Sequence, residues 1–286
     1  MSKRSVAEIA VIGGSGLYAM QELKNVREIK VKTPFGDPSD KLILGSISAV
    51  PVVFLPRHGR KHTILPAEIN QRANIWALKS LGVKTVISVS AVGSLRAELA
   101  PTHFVFPDQF KDETKGRVST FFGGGIVGHV PLADPFCLSL LKMMYKESVK
   151  MGIKSHFGGT YVCMEGPGFS TKAESRYHRK MGYSIVGMTV ATEAKLAREA
   201  GLHYAPVSLV TDYDCWKEGE EVDQEKVTAT LKKNIENIRR LLVKAIPMAA
   251  KAGCRTGCAE FIKTSVFTHK ENFPAGPYKT LKLMIG

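Results

Sequence analysis

The chain of 286 residues contains few cysteines, no long apolar run and no pair of ligand clusters for a metal. Its five cysteines are too few and too scattered for a disulfide-stabilised secreted scaffold. No run approaches the roughly 20 apolar residues that a membrane-spanning helix needs, and no secretory leader precedes the first strand-like segment. We therefore expect a cytoplasmic protein. Because the sequence does not contain two Cys/His pairs at the spacing of metal ligands, we also expect no metal.

The chain is strongly basic, with a formal net charge of +14 and a pI of about 9.5. Its 40 lysines and arginines are spread along the sequence, and no nucleic-acid motif or basic stripe interleaved with aromatic residues is present. Such a surface attracts small phosphorylated anions or, without specificity, polyanions. We therefore expect no specific nucleic-acid partner.

Apolar runs typical of buried strands alternate with helical patterns, which predicts an α/β fold with a central sheet covered on both faces. The predicted strands are Ile9–Ile12, Leu42–Leu44, Val52–Leu55, Thr85–Val89, Phe104–Phe106, Thr160–Met164, Ser184–Met188 and Tyr204–Thr211. Terminal signals predict helices that begin near Pro66, Pro135, Thr171 and Asp223. We predict one domain over 1–250, followed by an irregular C-terminal extension over 251–286.

Two carboxylates, Asp212 and Asp214, close the last predicted strand. Residues two apart on an extended segment face the same side of a sheet, so the two acids are expected to lie together. Such a pair suits an amino-bearing heterocycle, since one carboxylate accepts from the amine and a protonated one donates to a ring nitrogen. A strand end whose acids face water explains the two residues equally well.

Three other predicted strand ends carry groups that bind anions. A glycine turn holding Ser15 follows the first strand, Arg57 and His58 follow the strand Val52–Leu55, and Ser90 lies at the end of Thr85–Val89. The turn matches neither a Walker loop nor a dinucleotide fingerprint. Strand ends of open α/β sheets gather ligand-binding loops. Together the three indicate an oxyanion site, although each alone is also typical of an ordinary loop.

In order along the chain, these segments resemble the 5′-methylthioadenosine phosphorylases of the purine nucleoside phosphorylase family. The resemblance extends from Gly13 to about Leu242. It rests on the segments IGGSGLY, TPFGDPSDKLILG, LPRHGRKHTILPAEINQRANIWALKSLG, SVSAVGSLR, HVPLADPFC, EGPGFSTKAES, GMT and TDYDCW. It implies a mixed β-sheet forming a distorted barrel flanked by helices, in a homotrimer or a dimer of trimers, without a metal or organic cofactor.

The resemblance also implies roles for individual residues. Asp212 and Asp214 match the acids that recognise the purine and assist its departure, and a neighbouring subunit would lend His129. The implied phosphate-binding residues are Ser15, Arg57, His58, Ser90, Ala91 and Thr189. The other implied substrate-binding residues are Phe169, Ser170 and Met188, with Val227 and Thr228 lining the 5′-alkylthio pocket.

The resemblance implies that orthophosphate attacks C1′ of 5′-methylthioadenosine. Other possibilities are a broad purine nucleoside phosphorylase for adenosine, inosine or guanosine, a hydrolase, and a catalytically impaired basic protein that binds nucleotides or RNA. The sequence departs from the family pattern at Gly168, where Arg is usual, at Gly124, where Asp is usual, and in Ala191-Thr192-Glu193, where Val-Pro-Glu is usual. The first two departures remove charge near the expected site or interface.

Overall fold

The computed structural model describes residues 5–219, 224–252 and 256–286. Within these ranges the chain forms eleven strands and six α-helices. The strands are β1 (Ile9–Gly13), β2 (Lys24–Ile29), β3 (Leu42–Ile47), β4 (Val50–Pro56), β5 (Thr85–Ser94), β6 (Phe104–Phe106), β7 (Gln109–Asp112), β8 (Ser155–Phe157), β9 (Thr160–Cys163), β10 (Ile185–Gly187) and β11 (His203–Asp212). The helices are α1 (Gln71–Ser80), α2 (Leu138–Lys150), α3 (Lys172–Lys180), α4 (Val190–Glu199), α5 (Gln224–Ala252) and α6 (Ala275–Ile285).

The strands form one mixed sheet that branches at β5. The main path runs β2-β3-β4-β1-β5-β10-β9-β7, while β11 pairs with both β5 and β6, and β6 pairs with β8. Strand β1 is parallel to β4 and β5, whereas β10 is antiparallel to β5. The expected mixed sheet flanked by helices is confirmed. No pairing among the described strands closes it into a barrel, so the sheet is open.

The middle of the sheet is buried because its strands are nearly continuous apolar runs. Every residue of β1 is buried, and only the two end residues of β11 are partly exposed. Helices α2, α4 and α5 all contact β11. Burying one large apolar side chain contributes about 1.5–3 kcal/mol to the free energy of folding. The packing of these helices on β11 therefore holds the end of the sheet that carries the site in place.

Each of the eight predicted strands lies on an observed one, but the sequence missed β2, β7, β8, α4 and α6. Strand β2 lies at the edge of the sheet and is mostly exposed, so it lacks an apolar signal. Helix α4 is buried over nine of its ten residues, so it lacks the alternation of apolar and polar faces that reveals a surface helix.

The helix starts are set by local caps. The predicted capping box of Thr171 and Glu174 is confirmed, with Thr171 Oγ1 accepting from Glu174 N at 3.2 Å. The helix expected near Pro66 begins as a separate 3-10 turn, and α1 is capped by Asn70 instead. None of the helices that the structure describes is long and apolar enough to cross a membrane.

The region after residue 250 corrects the expectation of an irregular extension. It contains α6, whose Leu281 and Met284 are buried in the main core. The indole of Trp76 in α1 donates to the carbonyl of Thr280 at 3.4 Å. The glycines and prolines of this region led to the prediction of irregular structure, because a short helix that depends on tertiary packing has a weak sequence pattern. The division of the chain at residue 250 stays a prediction.

Candidate functional site

The site begins with an opening in the sheet along β5. Strand β1 pairs with β5 only as far as Ser88, and β10 takes over at Gly93. Between these points β5 lacks a strand partner on that side, and Ala91, one of the predicted phosphate residues, is exposed there. The carboxyl ends of β1 and β4 meet at this opening, which is where open α/β sheets bind ligands.

Arg57 lies directly after β4 and is fully enclosed in a buried hydrogen-bond network. Its Nε donates to Glu193 Oε1 at 2.5 Å, Nη1 to the carbonyl of Val89 at 2.9 Å, and Nη2 to Ser88 Oγ at 2.7 Å and Glu193 Oε2 at 3.3 Å. Glu193 also accepts from Tyr204 Oη at 2.8 Å. Four of the five guanidinium N–H groups are therefore committed within the protein.

This network takes up most of the donors of Arg57, one of the predicted anion-binding residues. One N–H of Nη1 is left for a ligand, so Arg57 acts mainly as a fixed charge in the wall of the site. Its partner Glu193, on α4, has no exposed surface. No sequence pattern identifies Glu193 as this partner, although it stands in the segment Ala191-Thr192-Glu193, which departs from the family pattern.

His58 is held as a neutral acceptor. Burial, with the neighbouring Arg57 cation second, lowers the pKa of His58 to about 4. Its Nδ1 lies 2.9 Å from the carbonyl of Ile64. Because a carbonyl only accepts, Nδ1 carries the proton, and Nε2 presents a lone pair. His58 therefore suits a protonated oxygen of orthophosphate, which can donate to Nε2.

Two predicted phosphate ligands, Ser90 and Thr189, have hydroxyls without a partner in the described part of the chain. Ser90 Oγ and Thr189 Oγ1 are both buried and make no hydrogen bond within the described ranges. Tyr161 of β9 lies beside them, and burial raises the pKa of its phenol. Buried hydroxyls without partners are costly, and a bound anion would satisfy them.

The glycine turn after β1 packs on α5. Residues Ser15–Leu17 form a 3-10 turn, and the carbonyl of Gly16 accepts from Arg239 Nε at 2.6 Å. A side chain at Gly16 would meet Ile235 at 2.7 Å, so the turn needs glycine for this close approach. The side chain of Ser15, a predicted phosphate ligand, lies outside what the structure describes.

The two acids lie together over Gly93 of β5. A Cβ placed on Gly93 would stand 3.0 Å from Asp212 Oδ1 and 3.3 Å from the Cβ of Asp214. Strand β11 ends at Asp212, however, and Asp214 follows in a turn with φ of +54°. The pair is therefore brought together by the turn, in which Asp214 N donates to Asp212 Oδ1 at 2.8 Å, and not by strand alternation.

The carboxyl of Asp212 is biased toward its protonated form. Burial raises the pKa of Asp212, and the charge of Asp214 adds to the rise, while hydrogen bonds from Thr211 and the Asp214 amide oppose it. Asp214 is almost fully buried, and the side-chain donor that its carboxylate meets within the described ranges is Cys215 Sγ at 4.0 Å. One acid thus suits donation, and the other has acceptor capacity to spare.

The loop after β9 borders the acids. Cys215 Sγ donates to the carbonyl of Ser170 at 3.3 Å, which places Ser170 beside the Asp212–Asp214 turn. Phe169 is 71% exposed, a position open to stacking on a flat ligand. Met188 packs against Gly166, where an added Cβ would lie 2.6 Å from its sulfur.

Arg117 joins this loop to the end of β10, and sequence reasoning missed it. Its Nε lies 3.2 Å from both carboxylate oxygens of Glu165, and its Nη1 donates to the carbonyl of Met188 at 2.6 Å. The arginine is followed by Val-Ser-Thr, a pattern without a turn or cap signal. Only the fold reveals that it holds two ligand-bearing loops together.

Three predicted substrate residues lie on other segments of the chain. His129 is exposed and packs on the C-terminal segment: its N–H donates to the carbonyl of Ser265 at 2.8 Å, and its ring lies 5.2 Å from that of Phe267. Val227 is partly exposed and Thr228 exposed in the first turns of α5. The single chain does not bring His129 to the acids.

The two glycine departures sit in different environments. A Cβ on Gly168 would meet nothing within 4 Å, so the backbone there could carry the larger residue that the family pattern has. Gly124 has a φ of +56°, and its added Cβ would lie 3.0 Å from Pro277. Glycine therefore suits this turn because α6 packs against it.

The chain is similar to known proteins over most of its length. The phosphorylase superfamily model matches residues 8–247. S-methyl-5′-thioadenosine phosphorylase of Koribacter versatilis is 51% identical over 282 residues, covering 98% of this chain and 96% of the relative.

Two solved structures are also similar. A methylthioadenosine phosphorylase from an antarctic soil metagenomic library has a TM-score of 0.96 and 44% identity, covering 99% of this chain and 100% of its own. A mutant adenosine/methylthioadenosine phosphorylase of Schistosoma mansoni in complex with adenine has a TM-score of 0.84 and 37% identity, covering 91% and 98%. Because the family model and these full-length relatives agree, the chain belongs to the phosphorylase superfamily.

Proposed function

We propose that this protein catalyses phosphorolysis of 5′-methylthioadenosine to adenine and 5-methylthioribose 1-phosphate, making it a pentosyltransferase. The observation that supports this most is the pairing of two features: the hydroxyls of Ser90 on β5 and Thr189 after β10, which make no hydrogen bond in the described part of the chain, and the acids beside Gly93 of β5. Ser90 and Gly93 are three residues apart on a strand, which is about 10 Å. That spacing leaves room for a nucleoside between an anion and a base-recognition group.

Orthophosphate is the nucleophile in this proposal. Ser90 and Thr189 donate to its oxygens, His58 Nε2 accepts from its P–O–H group, and the first turn of α4 adds the positive end of a helix dipole. Arg57 supplies its remaining N–H. The amide of Ala91 and the hydroxyl of Ser15 complete the proposed set. Fixing phosphate below C1′ contributes through proximity and through placement of charge.

The adenine departs as a neutral base. A bond forms between a phosphate oxygen and C1′ while the C1′–N9 bond breaks, and its electron pair moves into the purine. Asp212, biased toward its protonated form, donates to N7. The proton that orthophosphate loses on forming the ester balances the proton that adenine gains.

Asp214 then accounts for selection of the base. Its carboxylate accepts from the 6-amino group, and a 6-oxo purine would face it with a second acceptor. A buried pair of acceptors costs enough to discriminate strongly between the two purines. Phe169 and Ser170 border the base, and Met188 the ribose hydroxyls.

The 5′ end is the part of the site that one chain leaves incomplete. We infer a homotrimer or a dimer of trimers in which His129 of a neighbouring subunit reaches the 5′ side, next to Val227 and Thr228. We expect no cofactor, with orthophosphate as co-substrate, and a cytoplasmic enzyme.

A second candidate is use of adenosine as well. Thr228 is polar and exposed beside the expected 5′ pocket, so a 5′-hydroxyl has a compatible neighbour. The Schistosoma mansoni relative carries both activities in its description. Inosine and guanosine fit less well because of Asp214.

The test is adenine release from 5′-methylthioadenosine and adenosine, with inosine and guanosine compared by release of their own bases. We expect phosphate-dependent release from methylthioadenosine, weaker use of adenosine and little use of the 6-oxo nucleosides. Release that is independent of phosphate would replace this proposal with a hydrolase. Equal rates on all four nucleosides would replace it with a broad purine nucleoside phosphorylase.

A further inference from the structure

Two thiols and an imidazole meet at the end of the molecule away from the acids. One ligand atom each from Cys137, His203 and Cys258 lies within 4.8 Å of the other two. His203 begins β11 and Asp212 ends it, so the cluster is about 30 Å along the strand from the proposed acids. The proposed reaction makes no use of these three residues.

The fold brings the three together from distant parts of the chain. Cys137 immediately precedes α2, and its backbone N–H donates to the carbonyl of Tyr204 at 2.8 Å, which fixes it beside His203. Cys258 follows α5, and the next residue, Ala259, packs on Gly201, just before β11. Because no two of the three residues stand at a metal-motif spacing, the sequence alone predicts no site here.

We propose that Cys137, His203 and Cys258 form a binding site for a zinc ion. Two thiolates and one imidazole are a ligand set that zinc prefers. With bonds of about 2.0–2.3 Å in a tetrahedron, ligand atoms lie about 3.3–3.8 Å apart, so the observed spread closes with side-chain movement of about 1 Å. The thiols release their protons to solvent on binding, and the two thiolate charges balance the dication.

The surroundings match what zinc ligands need. Both thiols are almost fully buried, and Thr256 Oγ1 lies 3.6 Å from Cys137 Sγ and 3.1 Å from Cys258 Sγ. The Nδ1 of His203 is buried without a hydrogen-bond partner in the part of the chain that is described.

An ion has a route to this site. Cys137 and His203 line a pocket of about 280 Å³, together with Met143 and Ala249. The fourth position of a tetrahedral ion can therefore be filled by water from the pocket. Lys142 and Lys146 also line the pocket. Because their positive charges repel a cation, the negative charges of the two thiolates are needed to hold one there.

Zinc bound here would be structural. It would tie Cys258, in the segment after α5, to the start of α2 and to β11. A ligand that binds only the folded protein raises its stability, so zinc should raise the thermal unfolding midpoint. The proposal is independent of the catalytic one, because turnover is not expected to change.

The test uses the full-length protein, kept reduced and stripped of metal by dialysis against a chelator. We expect one zinc ion per chain in a competition titration with a chromophoric chelator. Cobalt(II) should give a thiolate charge-transfer band and the intense visible bands of a tetrahedral site. Cys258→Ser and His203→Gln should each weaken zinc binding by more than the roughly 10- to 100-fold typical of second-sphere changes.

Two controls match the ligand variants. Cys163→Ala removes a thiol of β9, and His269→Gln removes an exposed imidazole, and neither should change zinc affinity. If a ligand variant fails to fold, the cobalt(II) spectrum of the wild-type protein still tests whether thiolates bind the metal. Absence of stoichiometric binding by the reduced protein, binding unaffected by both ligand variants, or a cobalt spectrum without thiolate bands would overturn the proposal. A Cys137–Cys258 disulfide in a protein that binds no zinc after reduction would do the same.

Discussion

At the scale of single residues, the protonation states of Asp212 and His58 decide which of them donates and which accepts a hydrogen bond in the proposed site. Burial lowers the pKa of His58 to about 4, so near neutral pH its imidazole is a neutral acceptor, and burial raises the pKa of Asp212 above its ordinary value. A donor for the base and an acceptor for phosphate are thereby available together.

We predict that Asp212 sets an alkaline limb in the pH profile. Its raised pKa means that the protonated, donating form persists above the ordinary range of Asp and is lost as pH rises through the folded-state pKa. In the wild-type protein, kcat/KM for methylthioadenosine should fall there. Asp212→Asn should lower kcat by about 100-fold or more and remove the limb. As a control, Asp37→Asn changes an exposed carboxylate and should alter neither kcat nor the alkaline limb. If the limb survives in Asp212→Asn, it belongs to another titrating group.

We predict that Ser90→Ala and Thr189→Val each raise the KM for phosphate by about 10- to 100-fold. A hydrogen bond to a charged group contributes about 1.5–3 kcal/mol, and 1.4 kcal/mol is tenfold. Saturation curves in phosphate at fixed methylthioadenosine measure the effect. Ser184→Ala removes another buried hydroxyl without a partner and should leave this KM unchanged. Equal KM values in all three variants would exclude the two hydroxyls from the phosphate site.

The sequence predicts residues with reactive or hydrogen-bonding side chains more readily than it predicts the residues that hold them in place. Asp212 and Ser90 were predicted from their places at strand ends, and Thr189 from the resemblance to the family. Glu193 and Arg117 were not, since a charged partner is fixed by packing between distant segments. His129 packs on the C-terminal segment, and its predicted role depends on the proposed neighbouring subunit.

At the scale of elements, α4 joins the site to the core. Its N-terminus follows Thr189, and its Glu193 meets Arg57 at the end of β4. The helix escaped prediction because it is buried on nearly all sides. Strands such as β1 and β11 were predicted because continuous apolar runs of that length suit few other structures.

We predict that Glu193→Gln destabilises the protein by about 3–5 kcal/mol, because it leaves the Arg57 charge buried without its counter-charge. Urea unfolding at fixed protein concentration measures the change. Glu98→Gln removes an exposed carboxylate and should shift stability by no more than about 0.5 kcal/mol. If the two variants were equally stable, the buried ion pair would not be holding α4 to β4.

At the scale of the whole molecule, the proposed function includes a second subunit that completes the site. The base and phosphate groups come from one chain, whereas His129 packs on the C-terminal segment and is exposed. A closed ring of subunits lets each chain complete its neighbour's site.

We predict complementation between two weakened variants, His129→Ala and Asp212→Asn. Mixed trimers formed by co-expression contain some sites with an intact Asp212 and a neighbour's intact His129, about one quarter if mixing is random. Activity should exceed that of either variant expressed alone. A mixture no more active than the mean of the two would show that His129 is not shared.

The most direct test of the central claim is the fate of radiolabelled orthophosphate during turnover of methylthioadenosine. Phosphorolysis predicts one label in a sugar 1-phosphate for each adenine released. Adenine release with unlabelled 5-methylthioribose as the sugar product would contradict it.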